Sequence, residues 1–269
     1  PQPAGRAAPE ACVKPRIYLI APTFGRPNLL EHMIDSAAAT AANLESVTVC
    51  IGYDQDDDRA RHAAQPHGAG WPEVVTVELP TTGIGPHELV LPRLVPREPD
   101  DIVLVATDDQ VFETAGWDDH LRAATAGERG PWLYHVNDGR RPGDLATIPF
   151  FTKRTIDLLG GLAEPWMNVY ADTWRDLLFR LFDPPRVTYL SHVVIRHDWA
   201  GESERNLARR EETFAAIRRY GPETATRQLW ALLGGIQRAG EDPPMPHGLA
   251  ERDGLRFQVC PDNRVRVSI

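Results

Sequence analysis

The chain has 269 residues, 25% of them charged and 42% hydrophobic. That mix excludes a wholly disordered, collagen-like or coiled-coil chain and fits one large domain or two small ones. Acids outnumber bases 38 to 29, a formal charge of -9, which argues against a general binder of nucleic acid or anionic membrane, because both need a positive field.

Residues 1–15 are rich in Pro and Ala and are expected to form a loose tail without a secretory h-region. No apolar run approaches the ~18 residues of a membrane span. Cys12, Cys50 and Cys260 are odd in number and far apart. They form neither a disulfide framework nor a zinc site, and a reduced cytoplasmic compartment is expected.

The run from Arg16 to Ala21 is almost continuously apolar and stops at Pro22, which predicts a buried strand. Asn28 is placed to cap a following helix, in which Leu29, Leu30, Met33, Ile34 and Ala37 recur at helical spacing. Further strands are predicted over Val47 to Ile51, Val74 to Val77 and Ile102 to Ala106. Their alternation with helical or looped segments implies parallel pairing in a layered α/β domain, whose strand C-termini share one edge where ligands bind. Beyond these, Trp132 to Val136 and Val187 to Ile195 read as strands, and Thr155 to Leu162 and Thr173 to Phe182 as helices. From Glu204 the chain reads as helical to about Ala239, with a break at Gly221-Pro222. Leu255 to Ile269 alternates around Pro261-Asp262-Asn263, a terminal hairpin. The expected organisation is a tail over 1–15, an α/β domain over 16–200 and a helical extension over 201–269 that ends in a short hairpin and packs on the same domain.

Several residue groups could carry chemistry. Thr107-Asp108-Asp109 follows a strand directly. Two carboxylates there are either a solvated turn or the holder of a cation bound to phosphate oxygens. The bulky Phe112 and Trp117 beside them fit a site wall or core packing. Asp54, Asp56, Asp57 and Asp58 crowd one loop. It is not a calcium loop, because Arg59 and Gln65 stand where Gly and Glu are required. Either Asp54 or Asp56 accepts hydrogen bonds from a nucleobase or ribose, or the loop is merely solvated. His192 and His197 are five residues apart, so in a regular strand they face opposite sides and at most one meets a metal. His197, at the end of the run, is the better placed. Asp172 could cap a helix or act as a general base at its start. There is no Walker loop, no Gly-x-Ser-x-Gly elbow and no His-Glu-x-x-His.

Taken in order, these segments resemble the GT-A glycosyltransferases, in particular family 2-like enzymes of bacteria and phages. Ala21 to Pro27 resembles the opening strand and loop, and Ile51-Gly52-Tyr53-Asp54 the second strand with its nucleotide-contacting acid. Thr107-Asp108-Asp109 is similar to the Asp-x-Asp signature, with Thr107 replacing the first acid. Phe112 to Asp118 resembles the stretch after it, Tyr170 to Trp174 the acceptor-side acid and helix, and Val194 to His197 the late strand with its metal-ligating His. The resemblance implies a mixed, Rossmann-like sheet flanked by helices. It implies transfer from a nucleotide-diphospho sugar, with Mn2+ or Mg2+ held by Asp109 and His197. It further implies nucleotide contacts by Thr23, Arg26, Asp54, Asp56 and Asp108, and Asp172 as the base of an inverting displacement. Trp117 and Trp166 would line the cleft or the core. The acceptor could be a small molecule, a glycan, a protein or a modified DNA base. A nucleotidyltransferase and an inactive nucleotide-sugar-binding module are the rivals.

The acid excess is localised. Residues 54–58 hold four acids and no base, residues 98–119 hold eight and no base, and the rest of the chain carries +3. Both windows lie at the expected ligand edge.

Overall fold

The computed structural model describes residues 14–23, 25–63, 71–79, 98–141, 143–162, 164, 167, 170–198, 204–241, 246, 249–262 and 264–269. Most of the N-terminal tail, with Cys12, and Trp166 lie outside them.

Three buried parallel strands form the middle of the molecule: β1 (Ile17–Thr23), β2 (Val47–Asp54) and β4 (Ile102–Val105). β3 (Glu73–Leu79) extends them on one side. Alternate residues of β1 enter two separate cores. Ile17, Leu19 and Ala21 belong to one, Tyr18 and Ile20 to the other. A sheet covered on both faces needs apolar residues at every position, which is why these strands read as continuous runs.

Pairing is not parallel throughout. β7 (Pro149–Thr152) lies antiparallel between β4 and β6 (Leu133–Asn137), and β5 (Gln110–Phe112) is antiparallel to β8 (Val187–His197). β6 and β8 are parallel. The eight-stranded order is β3-β2-β1-β4-β7-β6-β8-β5. Because β7 reverses between β4 and β6, the C-terminal ends of β1, β2, β3, β4, β6 and β8 all reach the same edge.

One core is closed by α1 (Pro27–Thr40) and α3 (Trp117–Thr125), which follows α2 (Asp58–Ala63). α1 starts at Pro27, not after a cap by Asn28; proline at the first helical position supplies the preset φ. The other core is closed by α4 (Lys153–Leu159), α5 (Ala171–Arg180) and α6 (Glu204–Arg238).

α6 runs unbroken through Gly221-Pro222, contrary to the break expected there. Ile217, Ala225, Leu229, Leu232, Leu233 and Ile236 are buried along one stripe. Packing of that stripe outweighs the ~3 kcal/mol cost of an interior proline. At Gly221 an added Cβ would lie 3.4 Å from the Trp174 ring, so the helix approaches α5 closely there.

The C-terminus forms a three-stranded antiparallel sheet of β9 (Leu249–Arg252), β10 (Leu255–Val259) and β11 (Val265–Ser268). The β10–β11 hairpin was expected; β9 was not. β9 and β10 are joined by Asp253-Gly254, both at positive φ (49° and 81°). That is the two-residue hairpin turn for which Asp-Gly is a preferred sequence. Phe257 of this sheet packs edge-on against Trp174 of α5, with ring centroids 4.6 Å apart.

Candidate active site

The edge where β1, β4 and β8 end gathers five of the expected residues. Asp108 is fully buried. Thr23 Oγ1 donates to its Oδ2 at 2.6 Å, and the Arg26 guanidinium lies 2.6 Å from its Oδ1. Arg26 also donates to Asp109 Oδ2 at 3.1 Å, so one cation spans both carboxylates. The other oxygen of Asp109 accepts from Thr107 Oγ1 at 2.7 Å and lies 3.1 Å from His197 Nε2. The backbone fixes that meeting: Gln110 pairs with His197 in the β5–β8 register, and Asp198 N donates to Asp109 O at 2.7 Å.

The two neighbouring acids differ in proton affinity. Burial pushes Asp108 up to about 6, with Thr23 and Arg26 opposing it. Burial would also raise Asp109, but His197, Thr107 and Arg26 together outweigh it and hold it at about 2. Asp109 is therefore the carboxylate of the pair that is held ionised.

A divalent cation fits this donor set. Asp109 offers an oxygen and His197 a ring nitrogen. The two atoms lie 3.1 Å apart, near enough that both could contact one ion. Among the described residues no third His, Cys, Asp or Glu joins them. Any further ligands would have to come from outside the chain.

The other expected nucleotide contacts stand differently. Asp54 is buried at the end of β2, and Asp56 is exposed in the turn that follows. Asp57 is the acid of that loop which reaches the β1–α1 loop, accepting from Gly25 N. Trp117 and Phe112 belong to the core. Trp117 is fully buried, its Nε1 donates to Ala37 O at 3.1 Å, and its ring meets that of Phe112 at 4.8 Å. His192 is exposed and meets His120 edge-on, with ring centroids 4.9 Å apart.

Asp172 lies on the second position of α5, apart from the Asp108–Asp109 pair. It does not cap the helix, whose N-cap is Tyr170 at φ 66°, a conformation rare for a non-glycine residue. The carboxylate accepts from Thr173 N at 2.8 Å. The residue is half-buried. Burial raises its proton affinity, opposed by Thr173 N and Arg175 and reinforced by Asp253.

Asp138 was not anticipated. It is buried where β6 ends, and its carbonyl accepts from His197 N at 3.0 Å. Its Oδ1 accepts from Arg140 N and Arg141 N at 2.8 and 2.7 Å, and its Oδ2 from Thr147 Oγ1 at 2.7 Å. It thus fastens the loop of residues 138–147 beside His197. A carboxylate's backbone partners leave no trace in a sequence.

Comparison with known proteins agrees with this architecture. No family model matches the chain, and no curated protein matches it. Among solved structures, the chain is similar to a mannosyltransferase of Pyrobaculum calidifontis in complex with GDP-Man and Mn2+. Identity is 18%, the TM-score is 0.54, and the match covers 84% of this chain and 74% of that one. It also matches S. aureus TarS 1-349 (13% identity, TM-score 0.49, covering 83% and 80%). A further match is glucosyl-3-phosphoglycerate synthase from Mycobacterium tuberculosis with Mn2+ and uridine-diphosphate-glucose (15% identity, TM-score 0.46, covering 94% and 86%). The fold of this chain is the GT-A glycosyltransferase fold.

Proposed function

We propose that the protein is a metal-dependent, inverting glycosyltransferase that uses a nucleotide-diphospho sugar. The observation that carries this reading is the meeting of Asp109 Oδ1 and His197 Nε2 at the strand-end edge of a GT-A sheet, beside Thr23, Arg26 and Asp108. The GDP-Man and Mn2+ of the Pyrobaculum structure support the donor class.

Asp109 and His197 would hold Mn2+ or Mg2+, which supplies charge to offset that developing on the departing nucleoside diphosphate. Arg26 adds a fixed positive charge at the same place. Thr23 and Asp108 brace it, and Asp54 and Asp56 line the nucleotide side. Asp172 accepts the proton of the acceptor hydroxyl as its oxygen bonds to the anomeric carbon. The bond from that carbon to the diphosphate oxygen breaks on the opposite face, giving inversion in one displacement. The raised proton affinity of Asp172 suits a base.

A thermal-shift screen of UDP-Glc, GDP-Man and other nucleotide sugars, with and without Mn2+, tests the reading. Stabilisation that needs both metal and donor is expected, followed by release of nucleoside diphosphate. Pyrophosphate release would instead indicate a nucleotidyltransferase. No stabilisation by any donor would overturn the proposal.

A further inference from the structure

We infer that the hollow between α6 and the β10–β11 hairpin is a second binding site, which takes a small anionic ligand with an apolar body. The inference does not depend on the glycosyl-transfer reading, and none of the residues that line the hollow belongs to the candidate active site.

The cavity measures about 660 Å³, within the roughly 300–1,000 Å³ of small-molecule sites. Its two walls are fastened to each other. Thr226 Oγ1 donates to Pro222 O within α6 at 2.7 Å and accepts from Val265 N of β11 at 2.8 Å. At the hairpin end, Cys260 N donates to Arg264 O at 2.8 Å. The hollow is therefore built by the fold before any ligand arrives, which lowers the ordering cost of binding.

Its floor is largely carbon and its rim is cationic. Pro222, Val265 and Cys260 bring apolar surface, and the Thr226 hydroxyl is engaged by the two backbone groups. Around them stand Arg227, Arg264 and Arg266 against one lining acid, Glu223. On a chain of net charge -9 that rim is a local exception. Arg266 makes no ion pair among the described residues. Arg264 pairs with Asp262, two residues away, and both are exposed. An exposed pair of this kind contributes only about 0–1 kcal/mol, so a ligand anion competes for the guanidinium on easy terms. Arg227 holds Glu164 at 2.6 Å and adds its aliphatic stem to the wall. Guanidinium groups above an apolar floor suit a carboxylate, sulfonate or phosphate carried on a hydrocarbon or aromatic body. The anion meets the planar forks, and the body removes apolar surface from water. A neutral apolar molecule would leave the cations unused, and a bare inorganic anion would leave the floor wet.

The probe is anilinonaphthalene sulfonate, an aromatic body with one fixed negative charge, compared with phenylnaphthylamine, the same body without the charge. Cys260 reports occupancy, because its half-buried thiol lines the hollow whereas Cys50 is buried. Alkylation by N-ethylmaleimide is followed on the peptide that carries Cys260. With the sulfonate probe at about ten times its Kd, that alkylation should slow about tenfold, as the fraction of free sites falls. Arg266→Gln should weaken the sulfonate probe by about tenfold, the worth of one charge-assisted hydrogen bond, and leave the neutral probe unchanged. Arg264→Gln, also at an exposed position, is a second variant with the same expected direction. No saturable binding of the sulfonate probe overturns the inference. So does an alkylation rate at Cys260 that bound probe does not change, equal affinity for the charged and neutral probes, or unchanged affinity in both arginine variants. Any of these failures leaves the glycosyl-transfer reading untouched.

Discussion

His197 Nε2 lies 3.1 Å from Asp109 Oδ1 because β5 and β8 run antiparallel in a register that pairs Gln110 with His197. One side chain comes from residues 107–109 and the other from nearly ninety residues later, and a short ladder joins them. Replacing Asp109 by Asn keeps the shape and an acceptor for Thr107, but removes the ionised ligand. The expected result is loss of the Mn2+-dependent part of any thermal stabilisation by a nucleotide sugar, with turnover reduced at least about hundredfold. Titrating Mn2+ in the presence of donor, read by melting temperature, checks it. An Asp109→Asn protein with wild-type metal dependence would remove Asp109 as a ligand.

Arg26 carries a second expectation. Asp108 is buried with Thr23 and the Arg26 guanidinium against it. Arg26→Ala leaves that carboxylate short of a positive partner. A cost of about 1–3 kcal/mol is expected, below the value for a fully buried pair, because Arg26 is about one-third exposed. Asp108 titrates near 6. Protonation at lower pH relieves the unpaired charge, so the loss should be larger at about pH 8 than at about pH 5. Urea melts of metal-free protein at the two pH values measure it. Equal losses at both would show that Arg26 does not act on stability through the charge of Asp108.

Asp172 separates chemistry from binding. Asp172→Asn should reduce transfer by about 10²–10⁴-fold, the range for losing a general base. Donor- and Mn2+-dependent thermal stabilisation should persist, because the proposed donor contacts lie at the ends of β1, β2, β4 and β8 or in the loops after them, and not on α5. The wild-type product should be a single anomer opposite to that of the donor, read by NMR of the anomeric proton. Retained configuration, or undiminished transfer by the variant, would remove Asp172 from this role.

The sequence showed some of this and hid the rest for definable reasons. β1, β2 and β4 were legible because burial on both faces writes apolar residues at every position. β7 was not, being four residues that begin with Pro149. The stop at Gly221-Pro222 was a sound local reading that tertiary packing overrode. Between Val136 and Asn137 of β6 the partner on β8 jumps from Leu190 to Val194, so counting alternate residues could not by itself fix the side on which His197 emerges. Thr23, Arg26, Asp108, Asp109 and His197 meet because each ends a strand or starts the loop after one. Asp57 was visible as part of an acidic loop, but its role and that of Asp138 were not, because both hold backbone amides. The Asp253-Gly254 turn did carry a signal, the dipeptide of a tight hairpin, just before the segment read as the terminal hairpin.

Glu128 lies away from the site and yields an independent test of the fold. Burial pushes its carboxyl up to about 7, although Thr152 Oγ1 at 2.8 Å, Thr155 Oγ1 at 3.3 Å and Tyr134 favour the ionised form. An acid whose folded pKa exceeds its unfolded value of about 4.5 binds more protons in the folded state. Between those values stability therefore falls as pH rises, and above about 7 the penalty is complete. Glu128→Gln is neutral at every pH and still offers an oxygen to the threonines. The variant should therefore gain stability relative to wild type as pH climbs from about 4.5 to 7. The full difference is on the order of 1–3 kcal/mol once solvent screening is allowed for. Melting temperatures of the two proteins across that range measure it. A difference that stays flat with pH would mean that Glu128 ionises in the fold as it does in the unfolded chain.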